Sequence, residues 1–162
     1  MNNLMKDPAI RKGLTFGCIL GAFHIVFNIV NNLMNLQGVP YDWLNRSFSI
    51  SLILCLTLAG FFAYGAKSGA KAGFTAGLVS ALIGIVNLWI VTFLFMDVIA
   101  QNAYMIIDFQ NSGSATMNQF IVEDAMGAPM VEFLVSLVFG TILGALGGWI
   151  GSMSVPKQAV AL

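Results

Sequence analysis

The sequence predicts an all-α, polytopic membrane protein: a four-transmembrane-helix bundle with both termini cytoplasmic and a short outer amphipathic helix. The first observation behind this prediction is composition, since 58% of the 162 residues are hydrophobic and only 9% are charged. A soluble domain averages about 25% charged residues, so lipid must cover much of this surface. The other two observations are four long apolar runs and an uneven distribution of Lys and Arg.

The four apolar runs each supply about the 20 residues that a helix needs to cross a bilayer. They cover approximately residues 13–36, 47–65, 73–96 and 130–153. Helices are favoured over barrel strands because the runs are too long for strands and lack the alternation of a lipid-facing strand. Residues 1–162 are therefore predicted to form a single transmembrane domain.

The orientation follows from the basic residues, because Lys and Arg concentrate in cytoplasmic loops. Most of them fall in the N-terminal tail, the second loop and the C-terminal tail: Lys6, Arg11, Lys12, Lys67, Lys71 and Lys157. Only Arg46 falls in the first loop, and the third loop has no basic residue. Both termini are therefore expected in the cytoplasm, and the chain is expected to be a multi-pass protein of a bacterial inner (plasma) membrane.

The third loop is the only long one, and it forms an outer segment over residues 97–129. Its first part is expected to continue the third helix or to lie on the bilayer surface. Thr116 and Gln119 fit a capping box that starts a further helical run, and Gly127 with Pro129 is expected to end it. We expect this short amphipathic helix in the outer interface, either as a connector packed on the bundle or as a lid that gates or docks a partner.

Glycine recurs at every fourth residue in three of the four spans. Apolar faces do not drive helices together in lipid, whereas small residues let two backbones approach closely. The spacing therefore predicts tight packing in the cytoplasmic half of the bundle, in the style of a glycine zipper. The predicted packing positions are Gly13, Gly17, Gly21, Gly73, Gly77, Gly140, Gly144 and Gly148.

Polar side chains follow these glycine lines towards the outer side. Because a polar group in the bilayer core is costly, these side chains are expected to face the bundle interior. We predict a polar seam, with two acids at its outer mouth, formed by His24, Asn28, Asn31, Asn87, Asp97 and Glu132. Two interpretations are open: structural glue between neutral His and Asn side chains, or a small cavity that binds a solute, a cation or a proton, since histidine titrates near neutral pH.

Several function classes are not supported by the residues. A nucleic-acid partner would need clustered Lys and Arg, which the chain lacks. His24 has no second His or paired Cys at its depth, so we expect no metal site, and we expect no cofactor. Cys18 and Cys55 lie inside apolar runs and are expected to be inert thiols. No catalytic motif is present, so we expect no catalytic residue and no enzymatic activity.

The layout of the chain carries one resemblance. Its parts are "DPAIRKGLTFGCILGAF", the short hairpin "AKSGAKAGFTAGLVSALIG", a long outer segment and a last glycine-rich span. From about Lys6 to Met153 this layout resembles a family of uncharacterised bacterial four-helix integral membrane proteins. The resemblance implies the four-span topology. It implies no functional residues, because that family has no established activity.

The leading functional hypothesis is a non-enzymatic bundle that acts by helix–helix association in the lipid bilayer. It would work as a homo-oligomer or as an accessory subunit of another membrane protein complex. The alternative is a small transporter or channel subunit that uses the polar seam.

Overall fold

The computed structural model describes residues 6–36 and 39–154. The described chain is all-helical, with five helices in the order α1 (Pro8–Leu33), α2 (Val39–Phe61), α3 (Ala66–Ile99), α4 (Ala103–Ser112) and α5 (Met117–Met153). Four of them, all except α4, are long and apolar enough to cross a membrane. This confirms the prediction of a membrane helical bundle. Lys157 and the C-terminal tail lie outside the described residues.

The bundle has a basic end and an acidic end. At the basic end, Lys71 at the start of α3 pairs with Asp7, and the turn between α2 and α3 meets α5, where the Gly65 N–H donates to the Gly148 carbonyl at 2.8 Å. At the other end, α4 and the start of α5 carry Asp108, Glu123 and Asp124. The basic loops predicted to share one side therefore lie together among the described residues. Which side of the membrane each end faces stays a prediction.

All four long helices begin earlier than the apolar runs, and the starts of α1 and α2 have local causes. The Asp7 side chain caps α1 by accepting a hydrogen bond from the Ala9 N–H at 2.8 Å, and Pro8 occupies the first turn, where its missing N–H costs nothing. Helix α2 already begins at Val39, with Pro40 and Asp42 in its first turn, so most of the expected first loop is helical. Its end is set by Tyr64 and Gly65, whose φ values of 50° and 87° turn the chain into α3.

The prediction of a separate outer helix ending at Gly127 and Pro129 is wrong. The Thr116 side chain caps the helix as expected, accepting from the Gln119 N–H at 3.2 Å. The helix then runs without a break to Met153, with Pro129 inside it. The short helix of the outer segment is instead α4, which Asn102 caps and Gly113 ends with a φ of 75°.

Helix α3 is the centre of the bundle, with α1 on one of its faces and α5 on another. On the α5 face, a Cβ at Gly73 would lie 2.8 Å from the Gly144 Cα, and one at Gly140 would lie 2.5 Å from the Gly73 carbonyl oxygen. On the α1 face, a Cβ at Gly13 would lie 2.5 Å from the Ala72 carbonyl oxygen. Real Cβ atoms do not approach this closely, so the glycines set the distance between helices.

The remaining predicted packing glycines lie at the same two contacts. Gly17 and Gly21 of α1 meet Val79 and Ile83 of α3, and Gly77 of α3 meets Ser136 of α5. Gly148 meets Gly69 near the basic end. Helix α2 packs on α5 through Gly147, where a Cβ would lie 3.0 Å from the Phe61 nitrogen. These glycines therefore form contacts between helices of the same chain.

A Gly73→Ala substitution should destabilise the protein by about 1–3 kcal/mol, because the added methyl group forces α3 away from α5. Gly127→Ala is the matched control, since a Cβ at this α5 glycine meets nothing within 4 Å. That control should leave stability unchanged or raise it by up to about 1 kcal/mol through helix propensity. Unfolding in mixed micelles measures both, and equal effects of the two substitutions would contradict the packing described here.

The Asp7–Lys71 pair should make stability depend on pH in acid. The hydrogen bond from Lys71, followed by that from the Ala9 N–H, lowers the pKa of Asp7 below its ordinary value of 3.8. A lowered folded pKa stabilises the fold above the unfolded pKa, and this contribution is lost as pH falls through the folded pKa. Below about pH 4 the wild type should therefore lose stability more steeply than Asp7→Asn, which keeps a capping oxygen. Parallel thermal-unfolding profiles of the two proteins in that range would rule the effect out.

A candidate polar site between α1, α3 and α5

His24 lies inside the bundle, 2% exposed, on the line of glycines of α1. The imidazole packs over Gly84 of α3, where an added Cβ would lie only 2.5 Å from Nδ1. The imidazole also contacts Phe48 of α2, whose ring is nearly perpendicular to it, with the two ring centroids 4.6 Å apart. Gly84 thus provides the space for the histidine, and it is not among the predicted packing positions.

Glu132 of α5 reaches the same point from across the bundle. Its Oε1 atom lies 3.6 Å from His24 Nδ1, and its side chain is about half exposed. A distance of 3.6 Å is slightly longer than a hydrogen bond and too short for a water molecule between the two atoms. The two groups are therefore close enough to interact electrostatically without sharing a direct hydrogen bond.

Asn28, one turn above His24, ties α1 to α3. Its Nδ2 donates to the Gly84 carbonyl at 3.2 Å, and its backbone carbonyl accepts from Asn32 Nδ2 at 2.9 Å. His24, Asn28, Gly84, Pro129 and Glu132 line one small cavity, together with apolar side chains of α3 and α5. The cavity volume is about 10 Å³, which is close to the minimum for one water molecule. We call this group of residues the His24 site.

Four buried polar atoms in the described part of the chain have no hydrogen-bond partner: His24 Nε2, Asn31 Oδ1, Asn87 Nδ2 and Ser136 Oγ. Leaving a buried polar group unpaired costs about 1–3 kcal/mol. Two of these atoms, on Asn31 and Asn87, belong to the predicted polar seam but lie outside the His24 site. The seam is therefore not one continuous chain of satisfied hydrogen bonds.

The remaining predicted seam residues lie elsewhere. Asn87 borders an apolar groove with Ile25 and Ile90 instead of the cavity, and Asp97 is exposed, near the C-terminal end of α3. The structure thus brings His24, Asn28 and Glu132 together and leaves Asn31, Asn87 and Asp97 apart from them.

Asn102 is a buried polar residue that the sequence reasoning missed. Its Nδ2 donates to the Asn31 carbonyl at 3.0 Å and to the Asn32 carbonyl at 3.3 Å, while its Oδ1 accepts from the Tyr104 N–H at 3.0 Å. Asn102 therefore caps the end of α1 and the start of α4 at once, which fixes the acidic end above the His24 site. An asparagine directly before a helical run is a capping signal that could have identified it.

Pro129 lies in the wall of the cavity, and its effect on α5 is compensated by α3. Proline has no N–H, so the carbonyl four residues earlier, that of Ala125, loses its helical partner. The indole Nε1 of Trp89 donates to this carbonyl at 2.9 Å. In a bilayer such a freed carbonyl must find a partner, and neighbouring helices can provide it. This bond lets α5 continue through Pro129 and keeps Glu132, one turn later, against His24.

The described residues contain no group of three or more His, Cys, Asp or Glu that could hold a metal ion. Cys18 is an exposed free thiol and Cys55 a buried one. The fold and site together define a helical bundle with four helices long and apolar enough to cross a membrane, and with a polar site between α1, α3 and α5 in the described part of the chain.

Comparison with known proteins gives no match: no protein-family model, no curated protein and no solved structure is similar to the chain. The resemblance to uncharacterised four-helix membrane proteins therefore rests on layout alone, and no family membership is shown.

Trp89→Phe should destabilise the protein by about 1 kcal/mol, because it leaves the Ala125 carbonyl without a partner. In a Pro129→Ala background the same substitution should cost less, since the alanine of that variant supplies the N–H that proline lacks. Trp149→Phe, at an exposed indole of α5 for which no bond is found within the described structure, is the matched control. Unfolding free energies of the double-mutant cycle measure the coupling, and independent, additive effects would exclude the compensation.

Proposed function

We propose that this protein is a small, non-enzymatic transport subunit of a bacterial inner membrane, with both termini cytoplasmic, whose His24 site binds a small solute or cation during its passage. The observation that carries the proposal is the burial of His24 beside a carboxylate from a helix on the opposite side of the bundle. Ionisable groups within transmembrane segments are costly, and they often mark substrate pathways or proton relays. A purely structural contact would more simply use apolar side chains.

The packing around the site supports a state that is closed towards the basic end. Towards the basic end, the glycine contacts between α3 and α5 bring the two backbones together and leave no path for a solute. Glu132 is half exposed, so the site opens to the surface of the bundle at this side chain. Passage would then require α3 and α5 to separate below the site, as in alternating access about a fixed central site.

A second candidate is association, as a homo-oligomer or as an accessory subunit of a membrane complex. The glycine lines do not favour association, because they pack against other helices of the same chain. The apolar surface near the acidic end favours association. Measured from Lys71, a hydrocarbon layer of roughly 30 Å ends after about 20 helical residues, near Val91. Phe93 and Leu94, 66% and 70% exposed, lie at this end of the span, where another chain would cover them.

One experiment separates the two candidates. His24→Leu and Asn28→Leu variants are reconstituted into proteoliposomes beside Phe23→Leu, a control at an exposed position of the same helix. Solute and proton flux are followed in the vesicles, and the assembly state is measured in detergent.

The transport proposal expects flux from the wild type and from the control, and flux at the level of empty vesicles from both site variants, with assembly unchanged. Wild-type vesicles without flux for any tested solute or for protons would overturn transport. Loss of assembly in the site variants alone would favour the second candidate.

A further inference from the structure

We infer that His24 and Glu132 share one exchangeable proton, so that the species bound at the His24 site is H⁺. This inference deepens the proposed transport function. It rests on that function only for the statement that the bound proton is transported. The binding itself is a property of two side chains and one cavity, and it can be measured without any flux.

The size of the cavity selects the ligand. A volume of about 10 Å³ admits one water molecule and excludes any larger solute. His24 Nδ1 and Glu132 Oε1 lie 3.6 Å apart, so a small shift of either side chain brings the two atoms within hydrogen-bond distance and lets a proton pass directly between them. The proton enters from solvent hydronium, which leaves water behind, so the transfer needs no co-reactant and only N–H and O–H bonds form and break.

The ligand chemistry does not suit a metal cation. The described residues provide no third His, Cys, Asp or Glu beside the pair. Asn28 turns its amide nitrogen to the Gly84 carbonyl, which keeps that carbonyl occupied. A sodium or divalent ion would need several oxygen ligands in place of its hydration shell, and the site offers chiefly one carboxylate.

The charge balance favours one proton per site. With neutral His24 and ionised Glu132 the site carries one negative charge inside an apolar bundle. Binding one proton makes the pair neutral overall, whether the proton resides on the imidazole or on the carboxylate. Isolated charges in a bilayer are costly and paired ones less so, so the pair is stabilised by the proton.

No other titratable side chain faces His24 from the described helices that pack against it. Helix α2 presents Phe48, α3 presents Gly84, and α5 presents Glu132 together with Pro129. On α1 itself the polar neighbour is Asn28, which does not titrate. The titration of His24 therefore reports on Glu132.

His24 is the single histidine of the chain, so nitrogen-15 histidine labelling gives one imidazole spectrum. The full chain in lipid nanodiscs is titrated from about pH 4 to about pH 9, which brackets the ordinary range of both groups. Glu132→Gln removes the partner, and Asp124→Asn is the matched control two turns away on α5. The proposal expects the His24 midpoint to move by at least about 1 pH unit in Glu132→Gln and to stay in place in the control.

An unchanged midpoint in Glu132→Gln overturns the shared proton. If that variant does not fold, Gly84→Ala replaces it, since its Cβ would lie 2.5 Å from His24 Nδ1 and must displace the ring from its position beside Glu132 while both groups stay present. The same shift of the midpoint is expected, and an unchanged midpoint again overturns the inference. If the His24 midpoint shifts in Glu132→Gln but wild-type vesicles show no flux, proton sharing is supported and transport is overturned. If the vesicles show flux but the midpoint does not shift, transport is supported and proton sharing is overturned.

Discussion

The whole bundle depends on one steric condition: α3 has glycines where it approaches α5 most closely, and α1 has glycines where it approaches α3 most closely. In lipid the hydrophobic effect does not hold helices together, so van der Waals contact between closely approaching backbones must do so. Gly73 opposite Gly140 and Gly144, and Gly13 opposite Ala72, provide that contact. Gly84, which lies nearer the acidic end of α3, also lacks a side chain, and the space there is filled by the His24 imidazole instead of a neighbouring backbone.

The polar chemistry of the protein follows from this packing. Helices α1 and α5 are brought to two faces of α3. In the described part of the chain their polar side chains meet at Gly84, as His24 and Glu132. Above that point the bundle is closed by Asn102, which holds the end of α1, and by Trp89, which holds α5 at its proline. The site thus lies between close glycine packing on one side and side-chain hydrogen bonds to carbonyls on the other, and it reaches the bundle surface at half-exposed Glu132.

Much of the architecture is local in the sequence and could be predicted from it. The number of spans follows from apolar length, and the caps at Thr116 and the turn at Gly65 follow from residue type. The continuation of α5 could not be predicted, because the partner of the Ala125 carbonyl is Trp89, which is 36 residues away in the chain. Gly84 was missed because it departs from the four-residue spacing of the other glycines. The split of the polar seam depends on helix rotation, which places Asn87 beside apolar Ile25 and Ile90.

The most direct test of the central claim is the distance between His24 and Glu132 in a lipid bilayer. The chain has two glutamates, and Glu123→Gln leaves Glu132 alone beside the single histidine. Solid-state NMR on nitrogen-15 histidine and carbon-13 glutamate in this variant then reports one pair. If glycine contacts assemble the site, the two side chains give a strong through-space correlation, and His24 is shielded from lipid acyl protons. A missing correlation together with strong polarisation transfer from acyl chains to the imidazole would contradict the account.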